Sequence, residues 1–142
     1  MARVIIDESL KDKNKALVLE AFEALFNRRD YAAAERFWSP DYIQHSAHIE
    51  PGRDGLFNLV KRLPPTLKYE PGTLVADGEL IIVHGRFSGF QAVSWIAADI
   101  LRFKEGLSCR ALGCNPGRGH PGNVKEWSAH VRRRISKTGL KV

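Results

Sequence analysis

The stretch ADGELIIVHGRFSGFQAVSWIAADILRFKEGL, residues 76–107, decides the fold class. Residues 76–79 carry a hairpin signal, an Asp-Gly pair between apolar runs. GELIIVHGRFSG then predicts a strand, AVSWIAADILRF predicts a longer one, and Lys-Glu-Gly at 104–106 marks the next turn. Residues 67–75 alternate weakly and add a strand in front. The sequence therefore predicts a meander of antiparallel strands in the second half of the chain.

Three helices are predicted before these strands. Asp12 or Asn14 can cap the first, whose apolar positions recur at helical spacing as far as Phe26. A short second helix is expected over 31–38, a polar, histidine-containing loop follows, and a third helix begins near Pro51. Helices followed by antiparallel strands indicate an α+β domain, with three N-terminal helices packed on one face of a strongly curved sheet.

Length and composition indicate a single globular domain. The chain has 142 residues, of which 44% are hydrophobic, enough to bury a core. The first residues carry no apolar run of signal-peptide length, and no later stretch is long enough to cross a bilayer. We therefore expect a soluble, cytoplasmic protein with no membrane partner.

The net charge of +6 is unevenly distributed. Residues 1–107 contain 14 Lys and Arg against 15 Asp and Glu, a net of −1. Residues 108–142 contain 8 basic residues and one acid, a net of +7. Because the excess of basic charge lies in residues 108–142 alone, residues 1–107 are not predicted to form a nucleic-acid-binding surface.

The segment after Leu107 breaks the pattern, being rich in Gly, Pro, Arg and Cys. Cys109 and Cys114, with the histidines at 120 and 130, do not have the spacing of a standard zinc site, so no metal is predicted. The arginines at 132–134 could contact a phosphate backbone, but a basic end or a helix over 124–135 accounts for them as well.

Three stretches together resemble the SnoaL-like polyketide cyclases, within the nuclear transport factor 2-like and ketosteroid isomerase-like superfamily. They are NKALVLEAFEALFNRRDYAAAERFWSPDYIQHSAH, ADGELIIVHGRFSG and AADILRFKEGL, all within residues 13–107. The resemblance implies a cone-shaped α+β barrel that encloses an apolar pocket. It also implies a small apolar or polyketide-like ligand, no cofactor, and a homodimer.

The same resemblance predicts a reading-frame change after Leu107. Shifted by one base and with permitted synonymous codons, the codons of residues 108–136 can read VVEHWDVIQDEATQETSKSGLPMFGDAFP, which includes the strand that the family shows next. We therefore predict a one-base insertion, with residues 1–114 as the domain and 115–142 as an atypical basic tail that is out of frame. The family's acid/base aspartate then falls on Gly113.

Ionisable residues within the domain are the candidates for proton transfer. The resemblance places His45 near the pocket mouth, where an imidazole can exchange a proton near neutral pH. His84 and Arg86 share one face of a strand, which either lines the pocket or is solvated. Asp99 interrupts an apolar strand, as a pocket acid with a raised pKa or as a structural acid paired with Arg86 or Arg102.

Large aromatic side chains are predicted to form the core or the wall of the pocket. These are Trp38, Tyr42, Phe57 and Trp95. With Arg86, they complete the expected pocket lining around the candidate catalytic residues.

Two function classes are favoured by the sequence. One is a cofactor-free cyclase or isomerase that transfers a proton next to a carbonyl, with His45, His84 and Asp99 as candidates and the usual aspartate missing. The other is a non-catalytic domain that binds a ligand or dimerises. Binding of nucleic acid through the tail is the least favoured class.

Overall fold

The structure, a computed structural model, describes residues 2–46 and 49–113, and describes side chains for residues 9–46 and 49–108. The helical part consists of α1 (Ala2–Phe22), a π-helical turn (Glu23–Asn27), α2 (Tyr31–Ala34) and α3 (Gly52–Arg62). The strands are β1 (Trp38–Gln44), β2 (Lys68–Asp77), β3 (Leu80–Ser88), β4 (Trp95–Lys104) and β5 (Leu107–Gly113).

The strands form one curved five-stranded sheet in the order β1-β5-β4-β3-β2. Strands β2 to β5 pair antiparallel in sequence order, and β1 pairs parallel with β5. The sheet is not closed, since β1 and β2 are its edges. The predicted α+β class, with helices before a curved antiparallel meander, is confirmed.

The register assigns every residue of β3 and β4 to one of two faces, because residues directly opposite each other project to the same side. Val83 pairs with Asp99 and Ile81 with Leu101, and we call this side the inner face. Ile81, Val83 and Leu101 are almost fully buried there. We call the other side, which carries the exposed Ile82, the outer face.

The core lies between the helices and the inner face. Aromatic rings from α1, β1 and β2 meet there, with Phe22 stacked 6.3 Å from Trp38 and edge-on 5.0 Å from Tyr69. Phe57 of α3 packs edge-on against Trp38 at 5.7 Å. These contacts hold the helices on the inner face, where apolar burial stabilises the fold by about 25 cal/mol per Å².

The first helix begins earlier than the sequence predicts. A start at Asp12 or Asn14 is wrong, because α1 already begins at Ala2. Residues 2–13 contain neither glycine nor proline, so no residue there opposes helix formation. Asn14 is buried, and its Nδ2 donates to the Gly78 carbonyl at 3.4 Å instead of capping the helix.

Strand β1 replaces the end of the predicted second helix and the start of the predicted polar loop. The α2 helix ends at Ala34, and residues 38–44 form an edge strand that accommodates Pro40. The partner of β1 is β5, some 70 residues later, so local periodicity does not reveal it.

Residues 107–113 form strand β5, which pairs with β1 and β4. The first of them after the predicted frame change, Ser108, is fully buried, and its backbone N–H donates to the Phe37 carbonyl at 2.7 Å. Its Oγ has no hydrogen-bond partner within the described part of the chain. The zinc, phosphate-binding and helix interpretations of residues 114–142, and the tail itself, lie outside the described residues.

Candidate active site on the inner face

Asp99 lies on the inner face of β4. Its cross-strand neighbours are Val83 on β3 and Gly113 on β5. Along β4 the flanking inner-face residues are Ala97 and Leu101, so apolar or side-chain-free positions surround the carboxylate in the sheet. Asp99 Oδ2 is buried and finds no hydrogen-bond partner among the residues described.

Burial raises the pKa of the Asp99 carboxyl from 3.8 to about 6. The cause is desolvation, which disfavours the charged form of an acid in apolar surroundings. A carboxyl with this pKa exchanges a proton close to neutral pH, which suits a general acid or base.

The predicted alternative for Asp99, an ion pair with Arg86 or Arg102, is not formed. Arg86 Nε donates to Glu70 at 2.7 Å, and Arg102 lies 3.5 Å from Glu79. Both arginines are on the outer face, because Arg86 lies at even spacing from Ile82 along β3 and Arg102 at even spacing from Ile100, the partner of Ile82, along β4. The sheet therefore separates them from the Asp99 carboxylate.

Tyr69 supplies a hydroxyl to the same side of the sheet. It pairs with Phe87 on the inner face, is almost fully buried, and its hydroxyl has no hydrogen-bond partner in the described ranges. Desolvation, with a smaller contribution from the Asp99 carboxylate, raises the pKa of this phenol. Its hydroxyl and the carboxyl of Asp99 are therefore electrostatically coupled.

Gly85 makes room for the Tyr69 ring. A Cβ atom at Gly85 would lie 2.3 Å from the Tyr69 hydroxyl oxygen and 2.5 Å from Cζ, far inside contact distance. The glycine thus lets the phenol extend over β3, the strand between β2, which carries Tyr69, and β4, which carries Asp99.

Tyr42 brings a second hydroxyl to the interior from β1. The residue is 4% exposed, and its oxygen accepts a hydrogen bond from Gln44 Nε2 at 3.2 Å. Desolvation raises the pKa of Tyr42, the Asp99 charge raises it further, and the Trp38 indole N–H lowers it. That N–H makes no hydrogen bond of good geometry with any described group.

The other predicted lining residues are aromatic neighbours of this region. Trp38 and Phe57 are buried in the core and contact each other edge-on. Trp95 pairs with Phe87 at the start of β4, is partly exposed, and packs edge-on against Phe90 at 5.1 Å.

The predicted histidines do not join Asp99. His84 is partly buried on the outer face, opposite Ala98, and burial lowers its pKa. His45 is exposed at the end of β1. A catalytic role for His84, or a lining role for Arg86, would need a second site on the outer face, and both roles stay predictions. His48, a further histidine three residues after His45 in the sequence, lies outside the described residues.

The described ranges contain no group of three or more His, Cys, Asp or Glu side chains arranged to hold a metal ion. In the same part of the chain, no helix is both long and apolar enough to cross a membrane.

Sequence reasoning missed Tyr69, Gln44 and Gly85. The weak alternation of residues 67–75 offered a signal for Tyr69, since Leu67 and Tyr69 are the buried members of that run. Gly85 gave none, because its importance depends on Tyr69 in the neighbouring strand. Gln44 gave none, because its hydrogen bonds to Tyr42 and Ser46 depend on side-chain orientations that no residue pattern encodes.

Solved structures of NTF2-like and SnoaL-like proteins are similar to this chain over most of its length. TsrD from Streptomyces laurentii is 20% identical with a TM-score of 0.63, and the match covers 73% of this chain and 88% of TsrD. A candidate ketosteroid isomerase from Kribbella flavida is 18% identical with a TM-score of 0.64, covering 81% and 87%. A candidate SnoaL-like polyketide cyclase from a Jannaschia species is 16% identical with a TM-score of 0.61, covering 72% and 84%. At these identities the likeness shows the fold.

The family model for the SnoaL-like domain matches residues 18–111. The chain therefore belongs to the SnoaL-like family, as the sequence resemblance predicted. A comparison with curated proteins finds no match.

Proposed function

We propose that the chain is a small-molecule-binding protein of the SnoaL-like family that transfers a proton at a carbon next to a carbonyl, without a cofactor. The observation that carries the proposal is Asp99 on the inner face, whose carboxyl oxygen Oδ2 is buried and whose pKa is raised to about 6 by burial. Proton transfer by a positioned side chain typically accelerates a reaction by about 10²–10⁴-fold when its pKa lies near the working pH.

The hydroxyls of Tyr69 and Tyr42 support this assignment. Both phenols are buried and both sense the Asp99 charge, so their pKa values are raised and they stay protonated at neutral pH. A neutral O–H donor next to a carboxylate can stabilise the oxygen of an enol while the carboxylate holds the proton. Aromatic rings around these groups, including Phe22 and Phe87, suit an apolar ligand.

Asp99 is proposed in place of the aspartate that the family carries on its last strand. That aspartate corresponds to Gly113, which has no side chain and is the direct cross-strand partner of Asp99. An acid/base at 99 would therefore act from the neighbouring strand, about 5 Å away on the same face. This proximity favours Asp99 over the exposed His45.

Deuterium exchange tests the proposal without knowledge of the natural substrate. We would incubate the protein with 2-tetralone, an aromatic ketone with exchangeable α-protons, in D₂O, and follow incorporation by NMR. The wild-type protein should accelerate exchange, with a rate that rises as Asp99 loses its proton, midway at about pH 6. Asp99→Asn should lower the enzyme-dependent rate by roughly 10²-fold or more.

Asp77→Asn is the matched control, because Asp77 is an exposed aspartate at the end of β2. It removes the same charge and should leave exchange unchanged. Equal rates for wild type and Asp99→Asn would remove Asp99 from the chemistry. An active wild type with a flat pH profile near 6 would do so as well.

The second candidate is a non-catalytic domain that dimerises, and a row of apolar side chains on the outer face favours it. Val75, Ile82 and Ile100 are direct cross-strand neighbours on β2, β3 and β4. Val75 is 55% and Ile82 is 40% exposed. We propose that a second copy of the chain covers this row in a homodimer. Such a dimer is compatible with an inner-face site that catalyses proton transfer and with one that only binds a ligand.

A further inference from the structure

The hydrogen bonds of Gln44 fix which way its amide points. Gln44 Oε1 accepts from the backbone N–H of Ser46 at 3.0 Å. A backbone N–H can only donate, so the atom that it meets is the amide oxygen and not the nitrogen. The other end of the amide, Nε2, therefore faces the Tyr42 hydroxyl at 3.2 Å as a donor.

This orientation fixes the role of the Tyr42 oxygen. An amide NH₂ has no acceptor, so the phenol oxygen receives the hydrogen bond and its own proton turns away from Gln44. The Trp38 indole N–H, which can only donate, acts on the same hydroxyl and lowers the pKa of Tyr42. Neither group can accept a hydrogen bond, so the Tyr42 hydroxyl proton points away from both of them. In that direction the hydroxyl can donate to an acceptor.

We propose that Gln44 is a positioning residue that holds the Tyr42 hydroxyl as a hydrogen-bond donor toward the interior, so that the site recognises a carbonyl or enolate oxygen. The inference rests on the proposed function, because it assigns the acceptor to the ligand of that site. Gln44 acts through Tyr42 and need not touch the ligand. Buried donors without a counterpart favour a ligand that accepts hydrogen bonds over one that donates them.

Two substitutions of similar size separate orientation from packing. In Gln44→Glu, a carboxylate that can only accept replaces the donor, so the Tyr42 hydroxyl should rotate to donate to residue 44. In Gln44→Met, the side chain keeps its length but loses both hydrogen bonds. Tyr42→Phe removes the hydroxyl and identifies its signal.

The infrared C–O stretching band of ring-¹³C-labelled tyrosine reports whether a phenol donates or accepts, and it needs no ligand. Subtracting the Tyr42→Phe spectrum isolates the Tyr42 band. We expect the Tyr42 band at three different wavenumbers. It should be lowest in the wild type without ligand, where the hydroxyl only accepts a hydrogen bond, intermediate in Gln44→Met, and highest in Gln44→Glu, where the hydroxyl donates. Coincident bands in the wild type and Gln44→Met would overturn the inference, and so would a wild-type band at the position of Gln44→Glu.

The 2-tetralone exchange rate gives the functional readout. Loss of one oriented hydrogen bond should lower the rate by about tenfold in Gln44→Met, and Gln44→Glu should be slower still. Wild-type rates in both variants, together with a slow Asp99→Asn, would overturn the inference and leave the proposed function intact. If the wild type itself gives no exchange, the proposed function fails, whereas the infrared bands still decide how Gln44 orients Tyr42.

Discussion

Replacing Asp99 by asparagine should stabilise the fold at neutral pH and not at acid pH. The pKa of the Asp99 carboxyl is raised from 3.8 to about 6 by burial. Between these two pH values the folded chain holds the proton and the unfolded chain has lost it. Since the unfolded state then binds fewer protons, the free energy of unfolding decreases as the pH rises from about 4 to about 7, and it is constant above that range with respect to this group.

The size of the effect follows from the two pKa values. One pKa unit corresponds to about 1.4 kcal/mol, so ionised Asp99 costs the folded state ~3 kcal/mol relative to the protonated form. Asparagine resembles the protonated carboxyl in size and is neutral at every pH. The stability of Asp99→Asn relative to wild type should therefore rise by ~2 kcal/mol between pH 4 and pH 7, because the carboxyl of the unfolded chain is already partly ionised at pH 4.

Urea unfolding at pH 4, 5, 6 and 7 measures this difference, with the fluorescence of the buried Trp38 as the probe. The comparison is made between variants at each pH, so the titration of other groups cancels. Asp77→Asn, which removes an exposed charge, serves as the control. A pH-independent difference for Asp99→Asn, or a variant less stable than wild type at pH 7, would refute the burial of an ionised carboxylate at this position.

Four further predictions concern other positions. In urea unfolding, Ser108→Val should be more stable than Ser108→Thr by about 1–3 kcal/mol. The two side chains have the same shape, and only threonine keeps a buried hydroxyl without a described hydrogen-bond partner. Equal urea midpoints for the two variants would show that the hydroxyl is hydrogen-bonded. The chain rebuilt in the shifted frame from residue 108, which reads valine there, should also unfold at higher urea. Gly85→Ala should cost about 1–3 kcal/mol through its clash with the Tyr69 ring, and Gly85→Ala combined with Tyr69→Leu should recover part of that loss. Ile82→Lys should yield a monomer in analytical ultracentrifugation while Asn58→Lys on α3 does not, and unchanged mass in both would exclude the outer-face dimer.

Asp99→Asn should thus lower the rate of proton transfer and, at neutral pH, raise the stability of the fold. A residue kept for stability alone would show both effects in the same direction. This opposition is expected of a buried acid held in an unfavourable environment for its chemistry.

Much of the fold was accessible from the sequence because the signals for it are local. The hairpin at 76–79 and the two long strands after it follow from Asp-Gly turn chemistry and runs of apolar residues, and the structure confirms β3, β4 and the turn between β4 and β5. The family could be predicted from the sequence for a similar reason, because its motifs are contiguous stretches of the chain. The SnoaL-like family model matches them over residues 18–111.

Long-range pairing decided the rest. Strand β1 exists because β5 lies beside it, a contact between residues about 70 positions apart that no local pattern encodes. The sequence showed that His84 and Arg86 share a face and that Asp99 interrupts an apolar strand. Only the register of β3 against β4 showed that Asp99 lies on the inner face and the other two on the outer. A strand has two faces of equal local geometry, and which of them is buried is set by the helices packed against the sheet.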